Sequence, residues 1–278
     1  MILRSLAVLL VLSSPATAGG IKWERSFEEA LKKAKASRKP ILVDFWAEWC
    51  GWCHRLDKTT YMDAMVVRKA EEFVAVKVNT EGSTKEGEVA LRYDVQSLPT
   101  IVFLSPEGRQ VDRLNGFQGP GQFPRTLDKA LEGARRVIAL EEALEKDPSD
   151  AGALAGLGQH LFEQEFYEES RDLLYRAVKV EQGQPPAGRR RVRMLLAIIQ
   201  NYDRKYAEAE ALLKGALKIK PAGDDEAKIQ FVLGRTYASW GRREEAQKIM
   251  QLILREHAGS AMAERARETL LALDRKPE

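Results

Sequence analysis

Hydrophobic and polar positions follow one pattern up to about residue 135 and another after it. In the first stretch, short apolar runs alternate with segments of helical period. "SFEEALKKAKAS" sets Phe27, Ala30, Leu31 and Ala34 on one face of a helix, with Ser26 placed to cap its start. "PILVDFWA" is a continuous apolar, β-branched run, the pattern of a strand buried on both faces. A helix is predicted to begin near Cys50. "EEFVAVKVN" alternates Phe73, Ala75 and Lys77 against Val74, Val76 and Val78, and reads as a second strand. "GEVALRYDV" predicts a short helix. "TIVFLSPEGRQVDRLNG" predicts two strands joined at Pro-Glu-Gly, and a last helix follows from about Gln122. The order is a leading helix, then β-α-β-α-β-β-α. It predicts an α/β domain with a central mixed sheet and helices on both faces.

From about Glu141 the strand signals stop, and helix follows helix with breaks near Asp147-Pro148, Gln184-Pro185-Pro186, Pro221-Ala222-Gly223 and Trp240-Gly241. Two segments superpose. Leu157-Gly158 matches Leu233-Gly234, Leu161 matches Tyr237, Ser170 matches Ala246 and Leu174 matches Met250. A degenerate copy between them carries Leu196-Ala197, Ala209, Leu213, Ala216 and Pro221. The copies step by 39 and then 37 residues, near the roughly 34 of a tetratricopeptide repeat, which this all-α half resembles. The small residues allow close approach of two helices in a hairpin. "GSAMAERARETLLALD" reads as a capping helix.

Composition adds the compartment. The first residues, "MILRSLAVLLVLSSPATA", carry one arginine, an apolar run and a small-x-small ending, the pattern of a signal peptide cut before Gly19. The expected organisation is therefore a signal peptide over 1–18, an α/β domain over 19–138 and a helical repeat domain over 139–278. The working compartment is outside the cytoplasm, secreted and periplasmic. A formal charge of +3, from 44 basic against 41 acidic residues, argues against a nucleic-acid partner. "GRRRVR" concentrates Arg189, Arg190, Arg191 and Arg193 at a helix start. The cluster reads as a solvated helix start, or alternatively as a site where an acidic partner segment would relieve the mutual repulsion.

The chain has two cysteines, both in "WAEWCGWCHRL". Cys-x-x-Cys-His is the spacing of c-type haem attachment, and Cys-x-x-Cys beside a strand is that of a dithiol redox centre. The closed loop is too short to stabilise the fold appreciably, so a working disulfide is favoured over a structural one. A cysteine at a helix N-terminus meets free backbone N–H groups and the positive end of the helix dipole. Such sites lower a thiol from about 8.5 to about 7 or below. Cys50 is the expected exposed, attacking thiolate. Cys53, three residues on and one turn deeper, is the resolving thiol.

The strand, the Trp-Cys-Gly-x-Cys segment and three later landmarks together resemble thioredoxin, from Ile21 to Arg135. Asp44 falls where that family keeps a buried carboxylate, and Lys77 where it keeps the lysine partner. "QSLPTIVFL" matches the cis-proline segment, making Pro99 the proline, and Gly116 matches the glycine of the next strand. The resemblance implies a thioredoxin fold and a protein-disulfide oxidoreductase whose redox-active group is the Cys50–Cys53 disulfide, with no other cofactor and no metal. It implies catalytic roles for Cys50, Cys53, Asp44, Lys77 and Pro99, Asp44 taking the Cys53 proton. Trp49, Gly51, Trp52, Leu98 and Gly116 form the substrate-binding surface, the Leu98 backbone pairing with an extended client. Trp52 departs from the family, which has proline there, and His54 stands where a lysine is usual.

The implied activity is the reduction of disulfides in a client protein. It needs a membrane-embedded electron donor, and the helical repeats would bind a client or other protein or peptide. The alternatives are a disulfide oxidase or isomerase, or a repeat-based scaffold or chaperone whose dithiol tethers or senses clients.

Overall fold

The structure is a computed structural model that describes residues 19–221 and 223–274. The expected signal peptide and Ala222 of the third helix break lie outside the described residues. The chain forms two compact units, divided between Ala134 and Arg135.

The first unit is built on a five-stranded sheet of order β1-β3-β2-β4-β5, comprising β1 (Trp23–Glu24), β2 (Ile41–Trp46), β3 (Val74–Asn79), β4 (Thr100–Leu104) and β5 (Gln110–Asn115). β1 and β2 run parallel to β3, whereas β4 pairs antiparallel with both β2 and β5. Ile41 to Phe45 are buried throughout, as the unbroken apolar run of the central strand requires. Alternation sends Ile41, Val43 and Phe45 to one face. There they pack with Val74, Val76 and Val78 against Phe27, Ala30 and Ala34 of α1 (Phe27–Ser37) and Val89, Ala90 and Tyr93 in and after α4 (Thr84–Arg92). Asp44 lies at an intervening position, and so does Lys77.

Local chemistry sets the helix starts. The Ser26 side chain accepts from the Glu29 N–H at 3.1 Å, as its position predicts. α4 begins several residues before the apolar pattern becomes visible, because Ser83 and Glu86 form a capping box. Two elements are absent from the sequence-based reading: the two-residue β1, and α3 (Ala64–Ala70), which follows a 3-10 turn at Thr60–Met62. β1 has only two residues and α3 only seven, too few repeats for either pattern to stand out. Asp63 caps α3 through the Met65 and Val66 N–H groups. α5 (Phe123–Lys146) carries the chain across the division.

The second unit consists of three helical hairpins and a terminal helix: α6 (Ala151–Glu163) with α7 (Tyr167–Lys179), α8 (Pro186–Tyr202) with α9 (Tyr206–Leu217), α10 (Glu226–Ser239) with α11 (Arg243–Glu256), and α12 (Ala261–Asp274). A Cβ at Gly158 would stand 2.9 Å from the Leu174 side chain, and one at Gly234 would stand 2.6 Å from Met250. The Leu-Gly pairs therefore mark close approaches of the two helices in a hairpin. The Ser170 hydroxyl donates to the Gly158 carbonyl at 2.8 Å, so the small residue twelve positions on also ties the hairpin together.

The arginine cluster corrects an expectation. Arg190 is 4% exposed. Its Nε pairs with Asp225 at 2.8 Å and one terminal nitrogen donates to the Pro221 carbonyl at 2.6 Å. Arg193 donates to Glu181 at 2.7 Å, and Arg189 lies 4.0 Å from the same carboxylate. The repulsion is relieved within the chain, and no acidic partner segment is required.

Candidate active site

β2 runs straight into the site. After Trp46 the chain turns, the Cys50 N–H donating to the Ala47 carbonyl at 3.0 Å. Cys50 is the N-cap of α2 (Gly51–Lys58), and its sulfur accepts from the Cys53 N–H at 3.2 Å. The first turn of α2 carries no acidic residue, and Arg55 and Lys58 lie in the last turn. The unneutralised N-terminal end of the helix thus faces the Cys50 sulfur, the arrangement that stabilises a thiolate.

Cys50 and Cys53 form a disulfide. Cys50 is 3% exposed and Cys53 0%. The expected exposed Cys50 is therefore not the state of the oxidised protein. Its bond to Cys53 and its cap contact turn the sulfur toward the helix. Cys50 nonetheless remains the more accessible of the pair. Trp49 and Trp52 stand beside it at 68% and 53% exposure.

Asp44 is fully buried. The parallel register sets it opposite Lys77, whose ammonium lies 3.1 Å from Asp44 Oδ2. Burial raises the Asp44 pKa from 3.8 to about 6, against the opposing pull of Lys77. The loss of solvation outweighs what the Lys77 ammonium returns. Tyr61 lies against the same carboxylate. Burial, followed by the charge of Asp44, pushes its hydroxyl well above the usual range.

Lys77 is held from several sides. It also pairs with Asp57 of α2. The rings of Trp23, Trp46 and Tyr61 surround it at 5.2, 5.5 and 5.5 Å, within cation–π range. The sequence reading missed Asp57, Trp23, Trp46 and Tyr61. Asp57, four residues after Cys53 on one helix, carried a usable signal. Trp23 and Tyr61 belong to β1 and the 3-10 turn, where periodicity is silent.

The Leu98–Pro99 peptide is cis, as the resemblance implies. Leu98 packs its partly buried side chain on the α1/α4 core. The Gly116 N–H donates to the Pro99 carbonyl at 2.8 Å, and Gly116 has φ +90°, a conformation for which glycine is suited. The Trp49 indole donates to Glu81 at 2.7 Å. His54 Nε2 lies 2.8 Å from the Glu48 carbonyl oxygen, so the ring is engaged with backbone beside the disulfide.

The structure thus brings together Cys50 with Cys53, Asp44 with Lys77, and Pro99 with Gly116. Asp44 makes no hydrogen bond to either cysteine. Among the described residues no three His, Cys, Asp or Glu side chains are grouped to hold a metal, and no helix is long and apolar enough to cross a membrane.

Fold and site define a thiol–disulfide oxidoreductase working through a Cys-x-x-Cys pair. The family profile described as a thioredoxin-like domain matches residues 27–131, and that of a tetratricopeptide repeat matches residues 202–274. Thioredoxin 1 of Synechococcus elongatus is 35% identical over 92 residues, 33% of this chain and 80% of that protein. The chain belongs to the thioredoxin-like family, with tetratricopeptide repeats in its second half. The thiol:disulfide interchange protein DsbD of Actinobacillus pleuropneumoniae is 32% identical over 109 residues, 38% of this chain but only 19% of that protein. The chain therefore spans about a fifth of that relative's length. The solved structure of a DsbH oxidoreductase aligns over 46% of this chain and 95% of its own, at 25% identity and a TM-score of 0.39.

Proposed function

We propose that this protein reduces disulfides in client proteins outside the cytoplasm. The Cys50 thiolate attacks one sulfur of a client disulfide. A Cys50–client disulfide forms, and the other client sulfur leaves as a thiolate that takes up a proton. Cys53 then loses its proton to the Asp44 carboxylate and attacks Cys50 Sγ. The second client sulfur leaves as a thiolate that takes up a proton, and Cys50 and Cys53 are joined. Two electrons pass from the protein dithiol to the client in each cycle. A membrane-embedded dithiol donor restores them.

The observation that carries this reading is the Cys50–Cys53 disulfide at the start of α2, in a domain that also holds the buried Asp44–Lys77 pair. Lys77 modulates the charge of Asp44. Trp49, Gly51 and Trp52 shape the surface around the sulfurs. Pro99, Leu98 and Gly116 position an extended client segment, which pairs with the Leu98 backbone as an added strand. The signal-peptide pattern of residues 1–18 supports a periplasmic location. The repeats supply a surface for the client or another protein.

The test uses residues 19–278, reduced beforehand, with insulin as a disulfide substrate. Reduction of insulin that disappears in the Cys50→Ser/Cys53→Ser variant, with helical content retained, is the expected result. Equal insulin reduction by the variant would overturn the proposal.

A further inference from the structure

Arg55 sits two residues beyond Cys53 on α2, exposed at the surface. Its guanidinium carbon lies 5.3 Å from the Trp52 ring centre and 5.1 Å from that of Phe117. The two rings pack on each other with centres 5.3 Å apart. Among the described residues no carboxylate pairs with Arg55. Two nearby acidic groups are engaged elsewhere, Asp57 with Lys77 and Glu81 with Trp49.

The position is as informative as the stack. Trp52 lies between the two cysteines in the chain. Phe117 follows Gly116, whose N–H is fastened to the Pro99 carbonyl. One ring is therefore anchored to the redox turn and the other to the cis-proline segment. Arg55 bridges both. Contact with both rings restricts the guanidinium and lowers the entropy lost when it forms a two-pronged bond. A guanidinium fork is matched to a planar carboxylate.

We propose that Trp52, Phe117 and Arg55 form a specificity subsite that selects client segments bearing an Asp or Glu close to the disulfide cysteine. The apolar part of the segment lies on the exposed Trp52 face, and its carboxylate meets Arg55. This rests on the reading of the protein as a disulfide reductase. It narrows the client class to acidic-flanked disulfides.

The test compares two cyclic disulfide peptides that differ only in Glu or Gln next to one cysteine, with neutral hydroxyethyl disulfide as a third substrate. Single-turnover reduction by the pre-reduced protein, residues 19–278, is followed by tryptophan fluorescence. The ratio of the two peptide rates is the readout, because any general effect on thiol reactivity cancels in it. The wild type is expected to favour the Glu peptide by about three- to fivefold at low salt, the scale of an exposed charge pair, and the preference should shrink as salt is raised. Arg55→Gln should bring the ratio to unity, and Arg55→Glu should invert it. Equal wild-type rates on the two peptides, or a preference that survives Arg55→Gln, would overturn the subsite and leave the reductase reading standing. Failure of the wild type to reduce even hydroxyethyl disulfide would overturn both.

Discussion

Asp44 carries a cost that pH can reveal. Its folded pKa of about 6 lies above the ordinary 3.8, so the folded protein holds this proton more tightly than the unfolded chain. The stabilisation is fully present below about pH 4 and is lost as pH rises through about 6. A shift of about two units corresponds to roughly 3 kcal/mol. Asp44→Asn should remove this pH dependence and leave the oxidised protein more stable than wild type at pH 7. Urea unfolding of both at pH 4, 5, 6 and 7 checks it, and parallel curves would contradict the burial of a charge-bearing Asp44. The two cysteines are legible in the sequence from their spacing, and Asp44, Lys77, Pro99 and Gly116 because the segments that carry them resemble thioredoxin. The aromatic enclosure of Lys77 is not, since Trp23 and Tyr61 reach it from short elements and their own neighbours give no pattern. Arg55 reads in sequence as one more helix cation, and only its stack on Trp52 and Phe117 sets it apart.

Helices and strands that repeat their pattern several times are found where the pattern places them, and the two-residue β1 and seven-residue α3 are not. β2 is buried on both faces and declares itself. β1 has two residues and is held by its pairing with β3. In the repeats, Gly158 and Leu174 define how closely α6 and α7 approach. Gly158→Ala should cost about 1–3 kcal/mol by overpacking, and Leu174→Ala about 2–5 kcal/mol by leaving a cavity. The double variant should cost less than their sum, because truncating Leu174 makes room for the new methyl. Additive losses in thermal unfolding would mean that the two helices do not meet there. Between hairpins, the buried Arg190 joins the start of α8 to the segment before α10 through Asp225 and Pro221. Arg190→Ala should destabilise the repeat unit by about 3 kcal/mol, since it strips partners from a largely buried ion pair. A change below about 0.5 kcal/mol would instead make Arg190 an ordinary surface cation. The charge cluster is misleading in sequence for this reason: Glu181 and Asp225, which neutralise it, lie well outside the "GRRRVR" run.

At the scale of the whole chain, a thioredoxin-like domain is joined to an array of helical hairpins that matches tetratricopeptide repeats over residues 202–274. Cys53→Ser should leave Cys50 able to attack and unable to be released, so a client disulfide should accumulate as a covalent adduct that dithiothreitol cleaves. Mass spectrometry of the variant after exposure to insulin checks this, and an adduct that forms equally in Cys50→Ser would assign the attack to the wrong sulfur. The central claim is that the Cys50–Cys53 pair is a working dithiol that runs as a reductant. The equilibrium reduction potential of residues 19–278 tests it most directly, with Trp49 and Trp52 reporting the state in dithiothreitol or glutathione buffers. Thioredoxin-like sites range from about −270 mV, the reducing end, to about −120 mV, the oxidising end. A dithiol that runs as a reductant is expected toward about −270 mV. A value near −120 mV, or no titration at all, would contradict the account.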